Sequence, residues 1–262
     1  MTKFQFKKKY GQNFLQDEAI ISKIASTINP SSRDLIIEIG PGAGALTKKL
    51  KDHNCQLIAF EIDEDTKKYL LPLKNEHTEI FYGDFLTIDL QKFLQNRTYD
   101  KLYFVGNLPY YITTPIIEKI IDSHIPHESL TIMVQKEVAD RFTSTPQHKE
   151  YGLMTVLLHY WYDTIKVIDV PRNAFYPSPK VDSTVLKLIK KEPLPVDYKN
   201  LKAILKASFQ FKRKTILNNL KEYDRLTLEK VLNEHGYTLS NRPEDLDLQT
   251  YVDLANRLTK SD

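Results

Sequence analysis

The sequence predicts an α/β fold, an open and mostly parallel sheet, followed by a small all-helical domain. Short apolar runs of strand length alternate with helix-length stretches as far as residue 190. The first such run, Leu35-Ile36-Ile37-Glu38-Ile39, is almost continuously apolar, as a strand buried on both faces must be. It leads through Gly40-Pro41-Gly42-Ala43-Gly44 into Ala45–Leu50 at helical spacing. Beyond Lys191-Glu192-Pro193-Leu194-Pro195 the strand pattern stops and only helical patterns remain. The expected domains are therefore 1–190 and 191–262.

Composition narrows the class. The chain has 262 residues, 41% of them hydrophobic, and a net charge of only +3, so any basic surface must be local. A single cysteine, Cys55, excludes a disulfide framework and a cysteine-based zinc site. No run approaches the ~18 apolar residues of a membrane-spanning helix. The basic start, Met1 to Lys9, lacks the apolar core of a secretory signal, so a cytoplasmic protein with no membrane partner is expected.

In chain order, Lys3, Lys7, Lys8 and Lys9 are interleaved with Phe4, Phe6, Tyr10 and Phe14. Such a mixture suits a phosphate backbone with exposed bases, and equally a solvated tail with anchoring rings. Asp17–Ile28 reads as an amphipathic helix with Ile20, Ile21, Ile24 and Ile28 on one face. The glycine turn after Ile39 lets backbone approach a nucleotide-like ligand closely. It is not the dinucleotide fingerprint, since Ala45 stands where the third glycine belongs. A second strand, Gln56–Ile62, carries Glu61 about 20 residues beyond the first glycine, where an acid reaches ribose hydroxyls. Further strands end at Gly83-Asp84-Phe85 and at Asn107. Ligands of open α/β sheets sit beyond the carboxyl ends of the strands, an edge that Glu38, Gly40, Glu61, Asp84 and Asn107 would share.

The run Leu102–Val105 breaks into Gly106-Asn107-Leu108-Pro109-Tyr110-Tyr111. Pro109 keeps Leu108 out of the helical region, so the chain must leave the sheet here. An amide oxygen, a freed carbonyl and a flat ring suit an amino-bearing planar base; a plain strand-to-helix turn fits the same residues. A fifth strand, Leu130–Val134, leads into a helix at Gln135-Lys136-Glu137. Tyr151–Tyr160 reads as a helix, and Trp161–Val170 and Thr184–Ile189 as strands. Between these strands, Pro171, Pro177 and Pro179 stiffen the loop around Phe175, a ring poised to close a base pocket or to plug the core. Helices are expected over Tyr198–Phe209, Lys212–Leu220, Thr227–His235 and Leu248–Leu258, with a basic cluster at Lys202, Lys206, Lys212, Arg213 and Lys214. His124 and His127 have no third partner, and no metal site is expected.

Taken together the chain resembles the ribosomal RNA adenine N6,N6-dimethyltransferase family over almost its whole length. The resemblance rests on Gly11-Gln12-Asn13-Phe14-Leu15, Glu38 to Thr47, Glu61-Ile62-Asp63, Gly83-Asp84, Asn107-Leu108-Pro109-Tyr110, Gln135 to Ala139 and Phe175 to Ser183. Leu108, the proline-rich Phe175 loop, Phe211 to Leu217 and Arg242-Pro243-Glu244 are similar to the small-subunit branch rather than the antibiotic-resistance branch. Tyr111 departs from that branch, where Asn is frequent.

The resemblance implies a Rossmann-like S-adenosylmethionine-dependent methyltransferase domain with a seven-stranded, mostly parallel sheet, and a helical RNA-binding domain. Its implied substrate is a pair of adjacent adenosines in a hairpin loop near the 3′ end of small-subunit rRNA, within a ribosomal-subunit precursor, for an enzyme acting as a monomer. On the cofactor it implies Asn13 and Leu15 at the N-terminal side, Gly40 behind the methionine part, Glu61 on the ribose and Asp84 on the adenine amino group. Gln12, Gly42, Ile62 and Phe85 complete that set, and Asn107 flanks the sulfonium. For the target base, Tyr110 and Phe175 would face its two sides, while Asn107 and the Leu108 carbonyl, fixed by Pro109, accept from N6. Lys7, Lys8, Lys9, Lys212, Arg213 and Lys214 are the expected RNA contacts. A large-subunit rRNA methyltransferase, a DNA adenine methyltransferase, a nicotinamide dehydrogenase and a non-catalytic ribosome-assembly factor are the alternatives. The intact Asn107–Tyr110 stretch disfavours the last two.

Overall fold

The computed structural model describes residues 13–259. After a short strand β1 (Phe14–Leu15), helix α1 (Glu18–Ala25) starts where Asp17 accepts hydrogen bonds from the Ala19 and Ile20 amides, both 3.0 Å. The expected helix ran to Ile28. It ends at Ala25, and the Ser26 and Thr27 hydroxyls donate back to the Lys23 and Ile24 carbonyls.

The alternating region follows as β2 (Leu35–Ile39), α2 (Ala45–Leu50), β3 (Gln56–Glu61), α3 (Lys67–Leu70), β4 (Thr78–Tyr82), α4 (Leu90–Leu94), β5 (Leu102–Asn107), α5 (Thr113–Asp122), β6 (Ser129–Gln135) and α6 (Lys136–Phe142). Next come α7 (Leu153–Trp161), β7 (Tyr162–Val170), β8 (Phe175–Tyr176) and β9 (Ser183–Lys190). The chain closes with α8 (Tyr198–Ser208), α9 (Ile216–Asn219), α10 (Arg225–Glu234) and α11 (Leu248–Arg257).

The main sheet has seven strands in the order β4-β3-β2-β5-β6-β9-β7. From β4 to β6 all neighbours are parallel, and β9 returns antiparallel to β6. The sheet is thus Rossmann-like and mostly parallel, as the alternation predicts. Every residue of β2 is buried, which explains its continuous apolar run. Strand order reverses at β2, with β3 and β4 on one side and β5 and β6 on the other. The crevice beyond the carboxyl ends of β2 and β5 is therefore the switch point where such sheets bind ligands. Register aligns Ile39 with both Phe60 and Gly106, so Gly40, Glu61 and Asn107 emerge along one edge. Gly106 is required by this closeness: a Cβ there would lie 2.8 Å from the Ile39 carbonyl oxygen. A separate antiparallel pair, β1 with β8, sets Leu15 opposite Phe175.

Chain contacts define two compact units. One comprises residues through Ala139 with Ile165–Lys190, and the other Asp140–Thr164 with Lys191 onward. The expected boundary at 190/191 therefore leaves out a segment. Residues 140–164 go with the helical unit because α7 buries Val156, Leu157 and Tyr160 in the core formed by Leu201, Leu205 and Leu232. Helix α9 is also shorter than the expected Lys212–Leu220. The Asn219 side chain bonds the backbone of Phe211, Lys214 and Thr215 and holds residues 211–214 as a turn.

Candidate active site at the carboxyl edge of the sheet

One cavity of about 580 Å³ opens at the switch point. It is bordered by Gly40 and Gly42 from the turn after β2, by Glu61 and Ile62 after β3, and by Asp84 and Phe85 after β4. Asn107, Leu108, Pro109 and Tyr110 border it from β5, and Asn13, Leu15 and Phe175 from the β1–β8 pair and its approach. The structure thus brings all of these expected site residues together. Gln12, Lys7, Lys8 and Lys9 lie outside the described residues. Lys212, Arg213 and Lys214 belong to the helical unit, exposed on a turn.

The glycine turn is held from β3. Glu61 Oε2 accepts from the Gly42 amide and Oε1 from the Asp63 amide, both at 2.8 Å. A carboxylate has about four lone-pair sites, so capacity remains for a ligand's hydroxyls. Burial pushes the Glu61 carboxyl up, and the Asp63 and Gly42 amides oppose that. Gly42 has φ +57°, and a Cβ on it would sit 2.8 Å from the Phe14 ring. Phe14, read from the sequence as part of a basic aromatic tail, is thus a wall of the cavity. Tyr69 on α3 is another wall, and no signal in the sequence singles it out. Asp84 Oδ1 accepts from the Leu86 amide at 2.9 Å, which fixes the turn carrying Phe85; that ring packs edge-on against Phe60.

Glu38 is the anomaly of the edge. It is fully buried, borders the cavity, and its Oε2 has no hydrogen-bond partner among the described residues. Desolvation pushes its carboxyl up to about 8, with Thr47 opposing and the Glu61 charge adding to the shift. An orphaned buried acid in a cavity is stabilised by a cationic ligand. Folding takes up a proton here between about 4.5 and about 8, so stability falls as pH rises through that window. Glu38→Gln lacks this term. Relative to wild type, its Tm is expected to gain roughly 2–4 °C or more between about pH 5 and about pH 8. Parallel melting series that keep a constant gap would contradict the assignment.

At the end of β5 the Asn107 side-chain amide donates to the Asn13 carbonyl at 3.5 Å, the long limit of such a bond. Among the described residues neither its Oδ1 nor the Leu108 carbonyl has a hydrogen-bond partner; the next bonds in the turn run from Ile112 N–H and the Thr113 hydroxyl to the Pro109 carbonyl. Both residues border the cavity. Tyr110, half-buried, shares a 2.7 Å hydrogen bond with the Ser183 hydroxyl, which fixes its ring. Phe175 is buried in a core cluster that includes Leu15, Met133 and Val185, and it borders the cavity. Tyr111, the departure from the branch pattern, is well exposed at the rim.

S-adenosylmethionine fits these residues. The orphaned Glu38 carboxyl suits its positive charge, Glu61 keeps lone pairs for its ribose, and the cavity is of the size that encloses a cofactor. Fold and cavity place the protein in a class, the S-adenosylmethionine-dependent methyltransferases. Over residues 3–260 the chain matches the family described as ribosomal RNA adenine dimethylase. It is 40% identical to ribosomal RNA small subunit methyltransferase A of Streptococcus pneumoniae serotype 2 (strain D39), covering 97% of this chain and 92% of that one. It is 37% identical, over the same shares, to the protein of that name from Lachnoclostridium phytofermentans. Among solved structures it is similar to a dimethyladenosine transferase from Plasmodium falciparum, with TM-score 0.74, 26% identity and coverage of 92% and 95%. It is also similar to the 23S rRNA methyltransferase ErmE, with TM-score 0.71, 27% identity and coverage of 94% and 99%. The chain belongs to the ribosomal RNA adenine dimethylase family, and it is an S-adenosylmethionine-dependent rRNA adenine dimethyltransferase.

Proposed function

We propose that the enzyme dimethylates N6 of two adjacent adenosines in a hairpin loop near the 3′ end of small-subunit rRNA. It acts as a cytoplasmic monomer on a ribosomal-subunit precursor. The pair of open acceptors at Asn107 and Leu108 carries the adenine part of this reading. The small-subunit part is supported by relatives of that name at 37% and 40% identity, above the 27% to the large-subunit enzyme ErmE. No helix among the described residues is long and apolar enough to cross a membrane.

S-adenosylmethionine supplies an electrophilic methyl group on a sulfonium, held in this reading by Asn13, Leu15, Gly40, Gly42, Glu61, Ile62, Asp84 and Phe85. The rest is done by the chain. A base must leave its stack to enter the cavity. Tyr110 takes one face of it and Phe175 the other. Asn107 Oδ1 and the Leu108 carbonyl accept the N6 hydrogens. The adenine amino group is a poor nucleophile because its lone pair is delocalised into the ring. Two acceptors favour a pyramidal nitrogen and stabilise the positive charge that develops on it. Once the methylated, positively charged nitrogen has released one proton to solvent a single N–H remains, so the nitrogen must rotate and only one acceptor is used in the second round.

Labelled S-adenosylmethionine should transfer methyl groups to unmodified small ribosomal subunits and not to large ones, with N6,N6-dimethyladenosine recovered on nucleoside analysis. Label in large-subunit RNA alone would move the protein to the other branch. Bound cofactor with no transfer to either would favour an assembly factor.

A further inference from the structure

The helical unit carries an exposed aromatic ring in a setting that its packing does not explain. Phe211 is 57% exposed, on a turn that continues into Lys212, Arg213 and Lys214, all exposed. This turn is built to hold one shape. The buried Asn219 side chain accepts from the Phe211 amide at 2.9 Å and donates to the carbonyls of Phe211, Lys214 and Thr215 at 3.2, 3.4 and 3.1 Å. The Lys214 amide closes the turn on the Phe211 carbonyl at 2.8 Å. Lys212 is spent inside the unit, its ammonium donating to the Lys149 carbonyl. Arg213 and Lys214 pair with no carboxylate among the described residues. The turn therefore presents one ring and two unneutralised cations on a scaffold set by a single buried amide.

Charge complementarity selects the partner. An apolar protein surface would have to desolvate Arg213 and Lys214 without pairing them, which is costly. A nucleotide strand offers a flat face for the ring and, one backbone step away, phosphates for the cations. Double-stranded RNA offers no free base face. We infer that Phe211 is a stacking platform for an unpaired rRNA base, that Arg213 and Lys214 take the flanking phosphates, and that Asn219 is the positioning residue that presets the turn. This rests on the reading of the helical unit as RNA-binding, and the test separates the two.

The test is binding of the full-length chain to unmodified small ribosomal subunits across a salt series, with melting curves for every variant. Phe211→Ala and Phe211→Leu should both weaken binding by about 10-fold or more with the salt slope unchanged, whereas Phe211→Trp should retain it. Arg213→Glu with Lys214→Glu should weaken binding and make the salt slope shallower. Asn219→Asp keeps the acceptor for Phe211 and loses the donors, and should weaken binding with little change in slope. Wild-type affinity in Phe211→Ala, with the charge reversals still weakening binding, would overturn the stacking assignment and leave the RNA-binding reading standing. Phe211→Leu binding as well as wild type would mean an apolar contact with protein, and would also overturn it. Unchanged binding in the charge reversals as well would overturn both.

Discussion

Asn107→Ala is expected to lower the rate of methyl transfer by about 10²–10³-fold while leaving rRNA affinity within roughly two-fold. The side chain emerges at the last position of β5, its amide nitrogen donates to the Asn13 carbonyl, and its oxygen has no partner among the described residues. An acceptor in that place matters little to the neutral amino group of bound adenine. It matters more as positive charge grows on the nitrogen, so the loss falls on the chemical step. Single-turnover methylation together with a binding isotherm measures both quantities. Asn107→Asp keeps an acceptor and adds charge, and should retain more activity than the alanine. Equal losses of rate and RNA affinity in Asn107→Ala would make Asn107 a binding or folding residue instead.

Glu61→Ala is expected to weaken S-adenosylmethionine binding by about 10²-fold, measured by calorimetry on the free enzyme. One carboxylate organises two backbone amides, Gly42 and Asp63, and retains lone pairs for the ribose. Each hydrogen bond to a charged group is worth about 1.5–3 kcal/mol, and here the amides released are part of the cavity wall itself. Glu61→Gln keeps one carbonyl oxygen and loses the other acceptor, so an intermediate loss is expected. Wild-type affinity in the alanine variant would remove Glu61 from the cofactor site.

Much of this site is legible in the chain because its parts are local. A continuous apolar run followed by a glycine turn is a buried strand entering a ligand edge, wherever it occurs. Pro109 after Asn107-Leu108 forces the chain out of the sheet without help from distant residues. A fixed acid beyond the second strand likewise follows from strand length. Those features determined the α/β class and the edge on which the site residues emerge, while the seven-stranded sheet was what the family resemblance implied.

Tertiary structure decided whatever depends on partners far away in sequence. The Asn107 amide nitrogen finds its acceptor in the Asn13 carbonyl, 94 positions away. Tyr110 is held by Ser183, 73 positions on. Gly42 must be glycine because Phe14 folds onto it, and Tyr69 reaches the cavity from a short helix with no motif. Residues 140–164 join the helical unit because α7 finds its apolar partners there. The turn at 211–214 stays out of the helix because one amide, at Asn219, binds its backbone. Periodicity and turn chemistry are written along the chain, whereas burial, side-chain orientation and the protonation of Glu38 arise only when separate segments close on one another.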